Sequence, residues 1–239
     1  MKFKFSVWVG SIALFASIYA PAVRAQTVTF EPRDQGSVED SRSGTSRSAV
    51  AKCQSDTPVE PGLTPVVPTS HLGLTLSAHP TFYIYIPPTS APYAQFTLKD
   101  EGDRTADSRG IYQTTIPLDG TAGIVAVPLP DSVSLEVGKT YSWFVGLVCQ
   151  PAQTDFPWVR GNVQRIADEA VAETDLDRKT LLERAAIYGS AGLWYDTLHS
   201  PAQQVQTQPD DPIVRQNWLD LLHSVELQDL SDSPLIGDR

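Results

Sequence analysis

Tyr141-Ser142-Trp143-Phe144-Val145-Gly146-Leu147-Val148-Cys149 places Tyr141, Trp143, Val145, Leu147 and Cys149 on one side of an extended chain. Ser142, Phe144, Gly146 and Val148 fall on the other, which is the period of a strand and not of a helix. The face carrying Tyr141 and Trp143 has the bulk to fill one layer of a core, so this strand is expected at the centre of its sheet. The same period recurs upstream. Leu72 to Leu76 alternates, and Thr81-Phe82-Tyr83-Ile84-Tyr85-Ile86 is β-branched and aromatic and stops at Pro87-Pro88. Ala94, Phe96 and Leu98 alternate with Gln95, Thr97 and Lys99. Ile111–Ile116 and Ile124–Leu129 are further short runs separated by turn residues, and Val159 to Arg165 follows downstream. About seven strands without intervening helices imply a mainly β chain, an antiparallel immunoglobulin-like β-sandwich, with barrel closure as the other arrangement periodicity allows.

Beyond Asp168 the period lengthens. Leu181, Ala185, Tyr188 and Gly192 recur at helical spacing, giving one helix from about Asp175 or Asp177 to Leu198, interrupted by Pro201. Asp210 or Asp211 then caps a second helix with Pro212 in its first turn and Val214, Trp218, Leu221 and Val225 along one side. Gly189 and Gly192 within the first helix point to close approach of another helix or the sheet. At the opposite end, Lys2 and Lys4 precede an apolar run from Phe5 to Tyr19, and Val23-Arg24-Ala25 offers small residues for cleavage. The organisation expected is a signal peptide over 1–25, a disordered polar arm over 26–52, a β-sandwich over 53–170, a helical appendage packed on it over 171–227, and a flexible tail over 228–239. An uncleaved anchor is the alternative at the N-terminus, although the apolar run is short for a membrane span.

The chain has 239 residues and a formal net charge of -10, and removing the leader takes away three cations and no acid. Such a balance leaves no electrostatic footprint for nucleic acid, and no later stretch is long and apolar enough to form a transmembrane segment in the mature chain. Cys53 and Cys149 are the only cysteines. In an oxidising compartment they read as one structural disulfide; separate thiols or a redox centre are the alternatives, without a C-x-x-C spacing to support them.

Motifs for chemistry are missing. Gly189-Ser190-Ala191-Gly192 lacks the spacing of a nucleophile elbow, and no phosphate-binding loop, H-E-x-x-H or calcium-loop pattern occurs. His71 and His79 flank a strand as surface or hydrogen-bonding residues, and His199 and His223 are expected to close their helices. Asp100, Glu101 and Asp103 share a turn, which reads as solvated before it reads as a weak calcium site. No catalytic residue, metal site or cofactor is therefore assigned. The excess lies in aromatic residues: Tyr83, Tyr85, Tyr93 and Tyr112 on strands, with Phe156 and Trp158 in the segment after Cys149, form a candidate interaction surface. Tyr83 and Tyr85 alternate with Phe82, Ile84 and Ile86, so that strand is apolar on both sides; cover by the C-terminal helices is the favoured structural account of it.

Gly73-Leu-Thr-Leu-Ser-Ala-His-Pro-Thr-Phe82, Ala94-Gln-Phe-Thr-Leu98, Leu135-Glu-Val-Gly-Lys139 before Tyr141-Ser-Trp143, Gly161-Asn-Val-Gln-Arg165 and Gly192-Leu-Trp-Tyr-Asp196 together resemble a cyanobacterial family of secreted proteins known only as a domain of unknown function (DUF 928). The resemblance runs from about Cys53 to Leu227. It implies a cyanobacterial source and a secreted, periplasmic or cell-surface location, and it transfers no reaction. The function expected is a non-enzymatic binding or structural module for another envelope protein or a glycan. The alternative is a periplasmic hydrolase whose carboxylates form no local motif.

Overall fold

The structure, a computed structural model, describes residues 27–33, 53, 55–68, 72–102, 110–150, 156–167, 169, 171 and 174–236. The expected leader, residues 26 and 34–52 of the expected arm, His71, Asp103 and the last three residues lie outside that range.

Among the described residues nine strands form two sheets. β1 (Thr64–Pro65), β3 (Thr81–Ile86), β6 (Gly123–Pro128) and β9 (Leu235–Ile236) make one, in that order. The other runs β2 (Gly73–Thr75), β8 (Trp158–Arg165), β7 (Thr140–Val148), β4 (Tyr93–Asp100), β5 (Tyr112–Pro117). The strand quoted at the outset is β7, and it is indeed central. The expectation of purely antiparallel sheets is corrected, because β2 runs parallel to β8 and β9 parallel to β6. Each parallel pair brings together segments far apart in the chain, which alternation along a single strand does not reveal.

The sheets face each other through Phe82, whose ring centroid lies 5.1 Å from Phe96 and 5.5 Å from Trp143. Phe82 and Ile84 from one sheet and Ala94, Phe96, Leu98, Trp143, Val145 and Val159 from the other are buried in this layer. Trp143 lies flat over Gly161, where a Cβ would collide with the indole. At the bend into β7, the Tyr141 hydroxyl accepts a hydrogen bond from the Glu136 amide at 3.0 Å. Cys53 and Cys149 are joined, with Cα atoms 5.7 Å apart across 96 residues of sequence.

Three helices follow, where the sequence suggests two: α1 (Leu181–Ser190), α2 (Trp194–Thr207) and α3 (Pro212–His223). α1 opens with a capping box between Thr180 and Glu183. It ends where Gly192 adopts φ +69, a left-handed conformation open to glycine. Pro201 lies inside α2, not at a break, and His199 is therefore mid-helix. Asp211 caps α3 as expected, accepting from the Ile213 and Val214 amides. α2 sends Tyr195 into the end of the sandwich. Its hydroxyl accepts from Trp143 Nε1 at 2.7 Å and donates to the Asn162 carbonyl at 2.9 Å. Gly73 leaves room for that ring, since a Cβ there would stand 2.5 Å from it. The helices thus complete the core.

Two expectations at the chain ends are overturned for the described residues. Residues 27–33 form an extended strap on the helices, not part of a disordered arm: Val28 is 0 % and Phe30 5 % exposed. Val28 N–H donates to Asn217 Oδ1 and Phe30 N–H to Ser224 Oγ, each at 3.0 Å, and Phe30 packs edge-on against Trp194. The close approach expected at Gly189 is made by this strap, through the Thr29 carbonyl. In the segment taken for a flexible tail, Leu230 is buried and β9 extends a sheet. Both segments carry only two or three apolar residues, which burial rewards but periodicity cannot register.

Candidate functional site

The six aromatic residues nominated from sequence separate into three places. Tyr83 and Tyr85 are 4 % and 7 % exposed, so they do not belong to a surface. Their face of β3 is the one opposite Phe82 and is covered by α2, with the Tyr83 hydroxyl 3.1 Å from His199 Nδ1. Tyr112 points between the sheets, where it packs against Phe96 and lines a cavity of about 340 Å³ beside Ile116, Val125 and Ile236. Tyr93, Phe156 and Trp158 lie on or over the outer face of the five-stranded sheet.

That face follows from register. Ala94, Phe96 and Leu98 point into the core, so Tyr93, Gln95, Thr97 and Lys99 point out. Across β7 they meet Val148, Gly146, Phe144 and Ser142, and β8 continues the last three rows with Trp158, Arg160 and Asn162. Gly146 has no side chain, and the Phe156 ring fills the space above it. Phe144 and Trp158 rings stand 5.7 Å apart. Lys99 Nζ lies 5.5 Å and Arg160 Cζ 5.7 Å from the Phe144 centroid, within cation–π range. Arg160 also pairs with Glu101 at 3.1 Å and donates to the Ser142 hydroxyl at 2.7 Å through Nη2. Ser142 holds one proton for its neighbours Asn162 Oδ1, 2.7 Å away, and Glu101. At the β2 edge the same face is closed, because Leu72, Leu74 and Leu76 pack with Leu176, Ile187 and Leu193. The open part therefore spans β8, β7, β4 and β5. From sequence Phe144 reads only as the far side of the central strand and Lys99 only as the polar side of its own, and Arg160 has no reading; sheet register is what joins them to Trp158.

A second place was not foreseen. The loop after β2 and the first residues of β3 meet α1 and α2 at a cleft of about 360 Å³ lined by Ser77, His79, Arg184, Tyr188, Asp196 and His199, among others. Asp196 keeps some contact with solvent, but its carboxylate is enclosed by protein. Burial raises the carboxyl to about 6, against the pull of the Leu76 amide, the Thr75 hydroxyl, its own amide and the Ser77 amide. Leu76 N–H donates to Oδ2 at 3.0 Å. Burial lowers His199 and raises the Tyr195 hydroxyl. His79 Nδ1 lies 3.1 Å from the Val133 carbonyl, which can only accept, so that nitrogen carries the proton. The carboxylate's donors come from the end of β2, the β2–β3 loop and its own helix. Asp196 thus fastens β2 and the loop to α2, and the one hydroxyl its carboxylate is seen to hold, that of Thr75, is fully buried.

Among the described residues no group of three His, Cys, Asp or Glu side chains could hold a metal ion, and no helix is long and apolar enough to cross a membrane. No curated protein and no solved structure matches the chain. The family described as Domain of Unknown Function (DUF928) does, over residues 42–235, a span that takes in both sheets but for Ile236, the disulfide and all three helices, and the chain belongs to that family.

Proposed function

We propose that the protein is a non-enzymatic binding module of a cyanobacterial envelope, periplasmic or at the cell surface, that recognises a glycan on the open face of the five-stranded sheet. The observation that carries the reading is the group of partly exposed rings Phe144, Phe156 and Trp158 set among the side chains of Gln95, Thr97, Lys99 and Arg160. Rings supply flat apolar contact at low entropic cost, and amides, hydroxyls and cations around them fix orientation. Rigid strands on a packed core hold these groups in place. The compartment is inferred from the basic-then-apolar N-terminus and from a disulfide spanning 96 residues, which persists in an oxidising environment.

We read the scaffold as immunoglobulin-like. In support, the first strand divides between the sheets, β1 antiparallel to β3 and β2 parallel to β8, and Tyr141 returns its hydroxyl to the bend before its strand as a tyrosine corner does. This likeness concerns architecture and transfers no activity.

Affinity electrophoresis of the oxidised protein through gels containing single polysaccharides tests the reading. Retardation that Trp158→Ala and Phe156→Ala each reduce, without loss of thermal stability, is the expected result. No retardation, together with a protein crosslinked to this face in native envelopes, would transfer the site to a protein partner. The hydrolase reading rests on Asp196, protonated near pH 6 in a cleft with two histidines. Turnover of a chromogenic glycoside or ester by the wild type and not by Asp196→Asn would favour it.

A further inference from the structure

Charge on the open face departs from that of the chain as a whole. The protein is acidic by ten formal charges, yet among the described residues this face carries Lys99 and Arg160 against the carboxylate of Glu101. Glu101 is already committed, to Arg160 at 3.1 Å and to Ser142. The neighbouring Asp100 is engaged by Lys139 at 3.3 Å. Lys99 has no ion-pair partner among the described residues, and its ammonium rests over Phe144, 5.5 Å from the ring centroid. Lys99, a cation without a counter-ion there, makes one end of the aromatic group attractive to negative charge.

We infer that the glycan recognised on this face is anionic, a polysaccharide bearing carboxylate or sulfate groups, with the rings contacting the sugar and Lys99 meeting its acidic group. This rests on the proposed glycan-binding role of the same face. The overall negative charge does not forbid it. At physiological ionic strength charges beyond about 8 Å are largely screened, so the local cation outweighs distant carboxylates. Uncharged polysaccharides leave Lys99 with nothing to meet and gain only the ring contacts.

The test is affinity electrophoresis of the full oxidised chain in gels of polygalacturonate, a sulfated galactan and an uncharged β-glucan, at low and at physiological salt. Retardation by the acidic polymers that exceeds retardation by the glucan, falls with salt, and drops about two- to fivefold in Lys99→Gln but not in Lys99→Arg is expected. Trp158→Ala lowers the mobility shift with every polymer that binds. Equal retardation by the glucan, or an unchanged shift in Lys99→Gln, overturns the anionic assignment and leaves the glycan reading standing. No shift with any polymer, in protein shown by circular dichroism to be folded, overturns both.

Discussion

Two titrating side chains on α2, Asp196 and His199, are shifted by the same cause, burial, and the consequences for stability run in opposite directions. The Asp196 carboxyl rises from an ordinary 3.8 to about 6, so between those values the folded chain holds a proton that the unfolded chain releases. Stability from this group is present at the acid end and is lost as pH climbs towards 6. His199 is lowered from 6.5, so the unfolded chain takes up the extra proton and stability rises with pH through the window below 6.5. In the wild type the two slopes partly cancel. Melting temperatures recorded from pH 4 to 7 should expose each by removing the other. Asp196→Asn leaves the rising limb, and its stability relative to wild type improves by about 2–3 kcal/mol at most across that range. His199→Gln leaves the falling limb. A wild-type curve parallel to that of Asp196→Asn would mean that the Asp196 carboxyl titrates as an exposed one does.

At the scale of elements, the strap of residues 27–33 and α1 meet where Gly189 has no side chain. Helix propensity alone makes Gly189→Ala stabilising by about 1 kcal/mol. The added methyl must displace the Thr29 carbonyl, and overpacking of this kind costs about 1–3 kcal/mol, so the net effect should be destabilising. Urea denaturation decides the sign, and a gain in stability would show that the strap yields without cost. The strap also marks where sequence stops being informative. β4, β7 and β8 are legible because alternation along them declares which face is buried, whereas β3, apolar on both sides, declares a strand but not which face meets the other sheet. Val28 with Phe30, and Leu235 with Ile236, are too few to declare anything until a surface is built to receive them. The break between α1 and α2 was hidden for a related reason: Ala191-Gly192 fits a helical pattern, and only the +69° backbone at Gly192 shows the chain turning. Of the candidate site, Trp158, Phe156 and Tyr93 could be read from composition and position. Phe144, Lys99 and Arg160 join them through strand pairing, and Asp196 comes to share a cleft with His79 through the docking of a helix; neither relation is local in sequence.

At the scale of the molecule, few features hold the chain's distant parts as widely as the Cys53–Cys149 bridge. Closing a loop of 96 residues restricts the unfolded chain, with a model-dependent contribution of about 4–5 kcal/mol. A Cys53→Ser/Cys149→Ser double variant should lose stability up to that amount in chemical denaturation while its circular dichroism at low denaturant stays that of the wild type. Loss of under 0.5 kcal/mol would show that the two ends are held by packing alone. The strap reaches further than the disulfide, since Val28 and Phe30 bond to residues 189 and 194 positions away. This has a meaning in time. Polypeptides are made from the amino end, and the receiving surface for Val28 and Phe30 does not exist until α3 and Ser224 have been synthesised. For nearly the whole of its making the chain carries two apolar side chains waiting for a berth, and contacts of such separation are late and slow to form. A chain stopped short of residue 224 has only part of the seat for its own beginning.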